Sequence, residues 1–145
     1  MVPRRLRIPR PIFEAMLARA RAEFPNECCG FLAGIDGAAT HHCPLGNTLA
    51  SPTAYEVDPR ELLTVHRAMR SLGIVEVAIY HSHPSSAPIP SDTDLSQNGY
   101  GRTIPHVIVG PDDAVRAWWL GETDFEEAEW AIVEAGRSTH SPPVP

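Results

Sequence analysis

The chain has 145 residues, 43% of them hydrophobic and 21% charged, enough to enclose one core of ordinary size and hardly two. Its 12 arginines and lysines against 18 acidic residues leave a formal net charge of −6, which argues against a nucleic-acid partner held by bulk positive charge. No apolar run approaches the roughly 20 residues of a membrane span, and the basic opening MVPRRLRIPRP has no apolar stretch behind it to act as a signal peptide, so the cytosol is the default expectation.

In chain order, Ile12, Met16, Leu17 and Ala20 recur at helical spacing behind Pro11, predicting a helix over 11–24 that Pro25 and Asn26 stop. CCGFLAG at 28–34 reads as a short buried strand with Glu27 at its threshold. A loop-rich stretch is expected next, turning at Asp36, Gly37, Pro44, Gly46 and Asn47, with a few extended residues at 54–57. Asp58 and Pro59 read as N-cap and first position of a second helix, carried by Leu62, Leu63, His66, Met69 and Arg70 as far as Gly73. VEVAIYHS at 75–82 predicts a strand that runs out into a proline-laden loop over 84–90. Ser91 and Asp94 have the spacing of a capping box, so a third, short helix reaches to Asn98. Residues 106–109 and 115–120 predict a hairpin turning at 110–113. Over 125–133 the apolar pattern fits a helix through Phe125, Ala128, Glu129 and Ile132, and equally a strand face through Ala128, Trp130 and Ile132. From Arg137 the tail has too little apolar surface to offset its ordering entropy, which leaves 1–136 as one domain of mixed α/β layers and 137–145 as an expected disordered tail.

The informative segment is HSHPSSAPIPSDTD, residues 81–94. Strand side chains alternate, so His81 and His83 face the same side. A carboxylate delivered by the following loop completes a mononuclear site of three protein ligands with one position open, a donor set of catalytic rather than structural zinc. Spacing leaves Asp92 and Asp94 as candidates, and Asp94, in the first turn of the short helix, is better placed to point back at the strand end. A hydrolase built on such a site also needs a base that later hands its proton to the leaving amine. Of 11 glutamates, Glu27 stands out by opening an apolar strand instead of lying on a charged face.

Glu27 with CCGFLAG, the stretch NTLASPTAYEVDP at 47–59, and HSHP followed by SDTD together resemble the JAMM, or MPN-plus, metalloproteases, specifically their small bacterial members. The resemblance selects Asp94 over Asp92. It implies one zinc ion held by His81, His83 and Asp94, Glu27 as general base and acid, and Ser91 steadying the oxyanion. It further implies a cytidine-deaminase-like α/β/α fold with a curved mixed β-sheet, and a closing strand within 125–133. The expected reaction is hydrolysis of a peptide or isopeptide bond after the C-terminal Gly-Gly of a ubiquitin-like or sulfur-carrier protein, including release of cysteine from a carrier. All 12 basic residues are arginine, so any isopeptide chemistry concerns another protein.

Two other readings are set against this one. A non-catalytic MPN-type scaffold would bind a ubiquitin-like partner, or pair with itself as a homodimer, without turnover. A thiol protease would use Cys28 or Cys29, but buried strand cysteines are usually inert, and three cysteines cannot all pair within one chain, so reduced thiols are expected. His41, His42 and Cys43 form a second metal-like cluster, expected on a flexible loop and too divergent for a tetrahedral site. Trp118, Trp119 and Trp130 are expected to pack in the core or on half-buried sheet faces.

Overall fold

The computed structural model describes residues 5–134; the tail expected from Arg137 onward lies outside them. The backbone runs β1 (Leu6–Pro9), α1 (Arg10–Glu23), β2 (Cys29–Ile35), β3 (Ala38–Leu45), α2 (Pro59–Leu72), β4 (Val75–Ser82), α3 (Asp92–Ser96), β5 (His106–Val109), β6 (Val115–Leu120), β7 (Phe125–Glu127) and β8 (Trp130–Val133). The strands form one mixed sheet in the order β7-β6-β5-β4-β2-β3-β1-β8. Although β7 and β8 occupy the two ends of that order, only Ala128 and Glu129 separate them in sequence. The sheet therefore curls enough for that dipeptide to span its two margins, a half-barrel of α/β type. Ala128 donates its N–H to Ala117 O, and Glu129 accepts from Leu6 N, so the connecting dipeptide bonds to both margins.

The two long helices pack on opposite faces. Met16 of α1, with Ile12, Phe13 and Ala20 beside it, joins a core that includes Leu32, Ala78, Tyr80 and Val107. Met69, Leu62 and Val65 of α2 cover the other face, over Cys29, Phe31, Cys43 and Ile79. This alternation along β2 and β4 places His81 and Ile79 on the α2 side. The start of α2 is as expected, with the Asp58 side chain accepting from Arg60 N, and Gly73 ends the helix at φ +70°, where glycine carries no steric penalty. Gly30 faces Tyr80 across the β2–β4 pairing. A Cβ there would lie 2.6 Å from both Cys43 O and the Tyr80 ring, so only glycine lets that ring cross and reach His42 Nε2 at 2.5 Å.

The fold corrects several expectations. Residues 38–45 are the strand β3, not loop. His41 and Cys43 point into the protein and His42 to the other side, so the cluster fails as a metal site because of strand alternation and not because of flexibility. The β1 strand is not among the expected elements. The ambiguous 125–133 segment is extended, but as two strands instead of one: β7 pairs antiparallel with β6, and β8 pairs in parallel with β1. The hairpin β5–β6 and the helix capped by Ser91 follow the sequence expectation. Trp118 is buried, with its indole N–H donating to Pro88 O at 2.9 Å, while Trp119 and Trp130 pack half-buried against the core. No helix among the described residues is long and apolar enough to cross a membrane.

Candidate active site

His81 is the seventh residue of β4, in register with Cys29 on β2 and Ile108 on β5. His83 lies just past the strand end, its backbone N–H donating to Val109 O at 2.8 Å. Both imidazoles are buried, and their Nε2 atoms converge to 3.1 Å. The loop over 84–90 turns back under two anchors, the Trp118 indole on Pro88 and His83 Nδ1–H donating to Ala87 O at 2.9 Å. That second bond fixes the tautomer, leaving Nε2 of a neutral His83 with its lone pair turned inward. At the end of the loop Ser91 and Asp94 form the expected capping box: Ser91 Oγ accepts from Asp94 N at 3.1 Å, and Asp94 Oδ2 accepts from Ser91 N at 2.9 Å. The box holds the Asp94 carboxylate against the histidines, Oδ1 lying 3.2 Å from His81 Nε2 and Oδ2 3.1 Å from His83 Nε2. Asp92, the other candidate, is exposed.

One donor atom from each of His81, His83 and Asp94 lies within 4.8 Å of the others, and no other such cluster occurs among the described residues. Tetrahedral zinc with bonds of about 2.0–2.1 Å needs donors about 3.3 Å apart. The observed spacings of 3.1–3.2 Å are close to that, and two imidazoles with one carboxylate suit the metal chemically, so the residues fit it.

Without metal, His83 and Asp94 are shifted in opposite directions. Burial works against a charged His83, but the Asp94 carboxylate and the Ala87 carbonyl outweigh it and raise the imidazole above its ordinary value. Burial likewise pushes Asp94 up, yet its bonds to His81 and His83 carry it well below the usual carboxylate range. Since imidazole ligates as the neutral ring, an incoming cation must displace the imidazolium proton. Zinc binding is therefore expected to tighten as pH rises through the raised value of His83 and to release about one proton per ion. Calorimetry in two buffers of different ionisation enthalpy measures this, and a count of zero would mean that no imidazolium is displaced.

Glu27 stands two residues before the start of β2 and is only 4% exposed. Its Oε1 is buried with no hydrogen-bond partner. Desolvation by burial pushes its carboxyl up to about 7, partly offset by His83 and reinforced by the charge of Asp94. A carboxyl poised near neutrality can both take and return a proton. Cys28 and Cys29, its neighbours, are 0% and 1% exposed, and burial raises both thiols, Cys29 to about 12. The thiolate that a cysteine nucleophile needs is disfavoured there.

A cavity of about 260 Å³ opens beside the cluster on the α2 face, lined by His81 and Asp94 together with Phe31, Leu62, Ile79, Tyr55, Tyr100 and His106. Sequence reasoning did not single out Tyr55, whose ring lies 5.2 Å from that of His81, or His106, whose buried Nε2 has no partner. His106 opens an apolar four-residue strand and carried no signal beyond sharing a face with Ile108.

Comparison with known proteins follows the same lines. Residues 9–121 match the family model of prokaryotic homologs of the JAB domain. A protein named CysO-cysteine peptidase from Mycobacterium tuberculosis is 44% identical over 86 residues, covering 58% of this chain and 59% of that protein. The match thus spans under two thirds of that relative's length. A desampylase from Haloferax volcanii is 35% identical over 140 residues, 91% of this chain and 99% of the relative. Among solved structures, a protein from Desulfitobacterium hafniense superposes with a TM-score of 0.80 at 28% identity, covering 91% of this chain and 95% of the other.

Proposed function

The chain belongs to the prokaryotic JAB-domain family, the small JAMM type whose motifs it carries, and on that premise we propose that it is a zinc-dependent hydrolase of ubiquitin-like or sulfur-carrier conjugates. The scissile bond follows the carrier's C-terminal Gly-Gly. The observation that carries this reading is the convergence of two imidazoles and a carboxylate, within reach of whose charges lies a buried glutamate with an unpartnered oxygen. Relatives named for cleaving CysO-cysteine and for desampylation support the substrate class.

His81, His83 and Asp94 would hold the ion, whose contribution when bound is Lewis acidity toward a carbonyl and a lowered pKa for a nearby water. Glu27 takes the proton of the attacking water on Oε1 and returns it to the leaving amine. Ser91 steadies the oxyanion. Its Oγ accepts from Asp94 N, which leaves the hydroxyl hydrogen free to be donated. Chain flexibility on the substrate side favours glycine, which alone lets the backbone pass close to a recessed metal.

The decisive experiment is cleavage of a carrier protein fused through its Gly-Gly terminus to a reporter peptide, with zinc measured on the same sample. Turnover that a chelator abolishes and zinc restores supports the proposal; stoichiometric zinc with no turnover on any carrier fusion would favour the scaffold reading. Ser91→Ala is expected to lower kcat by about 10²-fold with zinc retained, and to cost about 1 kcal/mol from the lost helix cap. Ser91→Thr, which keeps a hydroxyl, should recover most of both. An S91A enzyme of undiminished kcat would remove Ser91 from the mechanism.

A further inference from the structure

We infer that Asn47 is the positioning residue of the catalytic base, acting on Glu27 through the main chain; this rests on the hydrolase reading above. Glu27 lies outside the sheet ladder, because β2 begins at Cys29. Its peptide groups must therefore find partners elsewhere, and both come from one loop. Glu27 N–H donates to Ser51 O at 2.8 Å, and Glu27 O accepts from Asn47 Nδ2 at 3.0 Å.

Asn47 in turn makes every bond its amide allows. Nδ2 also donates to Ala54 O at 3.0 Å, while Oδ1 accepts from Leu49 N at 3.1 Å and from Glu56 N at 3.2 Å. Two carbonyls on one side and two N–H groups on the other admit a single orientation of the amide. Asparagine alone satisfies the pattern: aspartate has no donors, serine lacks the reach and glutamine is one methylene too long. The same side chain thus folds residues 47–56 into a compact loop and ties that loop to the base. On the far side of Glu27, Cys28 N donates to Ser82 Oγ at 2.8 Å and Ser82 N to Cys28 O at 3.1 Å. Glu27 is therefore held between the strand that carries His81 and a loop closed by Asn47. The carboxylate itself has no bond from Oε1 to a protein group, so its aim depends on where its Cα is held.

The test compares Asn47→Ala with Thr48→Val. Thr48 Oγ1 bonds Glu56 O at 3.0 Å within the same loop without touching Glu27. On a Gly-Gly carrier fusion, N47A is expected to lose about 10² in kcat, as a misplaced reacting group does, with KM within about twofold and zinc still one per chain. T48V should match the parent. Amide hydrogen exchange at Glu27, read by NMR, should quicken at least about tenfold in N47A and not in T48V. Asn47→Asp, which keeps both acceptor bonds and so the loop, should show the same kcat loss. Equal losses in N47A and T48V, a change confined to KM, or unaltered exchange with unaltered kcat would each overturn the inference. Glu27→Gln separates the two levels: full activity in E27Q overturns the assignment of the base itself, whereas an inactive E27Q beside a fully active N47A overturns only the role of Asn47.

Discussion

Glu27→Gln is expected to lower kcat on a carrier fusion by about 10³-fold while leaving zinc content at one per chain, because the amide can neither take the water's proton nor deliver one to the amine. The same substitution should make the metal-free protein more stable. Burial lifts the folded carboxyl from 4.5 to about 7. Between those values the unfolded chain has lost the proton that the folded chain keeps, so stability falls as pH rises through the interval. Above it the native state holds an unfavourable buried charge costing about 3 kcal/mol, which glutamine does not carry. E27Q and the parent should therefore unfold alike near pH 4 and diverge toward pH 8, E27Q being the more stable. Urea titrations of chelated protein at the two values test this; equal stability at pH 8 would mean that the carboxyl is not held in its neutral form. With zinc bound at the proposed site, a cation beside Glu27 would draw its pKa back down. The acid limb of kcat/KM is then expected between the ordinary glutamate value and about 7.

Asp94→Asn should abolish turnover by a different route, through loss of the metal. An amide oxygen is a poor zinc ligand in place of a carboxylate, so zinc after dialysis is expected to fall well below one per chain and cleavage to background. In the metal-free protein the size of the stability effect depends on pH. Asp94, held low by the two histidines, stabilises the fold above its unfolded value near 4, and that contribution is lost as pH falls. His83, held high chiefly by Asp94 once its burial is overcome, stabilises below its unfolded value near 6.5, and that contribution is lost as pH rises through the folded value. The pair is worth most between the two. D94N should cost about 3 kcal/mol near pH 5.5 and less at pH 8, where His83 escapes by shedding its proton. An Asn variant that keeps full zinc, or a pH-independent stability difference, would contradict the arrangement.

How much could be read in advance follows from the range of the interactions involved. His81, His83, Ser91 and Asp94 were legible because a strand, a proline loop and a capping box bring them together within 14 residues. Helix α2 was legible for the same reason, its stop and start written in Asp58, Pro59 and Gly73. Strand β3 was hidden because its buried positions include His41 and its exposed ones Pro44. A histidine counted as polar erases the alternation on which strand reading depends. Strand β1 has four residues and a partner, β8, more than 120 positions away, and no local pattern reports that. The curved sheet and its α/β/α layering came from family resemblance, as did the role proposed for Glu27, whose closeness to His83 and Asp94 is a tertiary fact. Tyr55, His106 and the bonds of Asn47 are tertiary in the same sense.

The parallel pairing of Leu6–Pro9 with Trp130–Val133 also bears on how the protein is made. During synthesis the first strand leaves the ribosome with nothing on its outer side, and α1 begins directly behind it. Most of its pairing, and hence the cover over the core beneath α1, must wait for residues translated at the far end of the domain. Such long-range closure is slow in folding. Nascent chains stopped before Trp130 should accordingly stay protease-sensitive even though every candidate zinc ligand and the candidate base have already emerged.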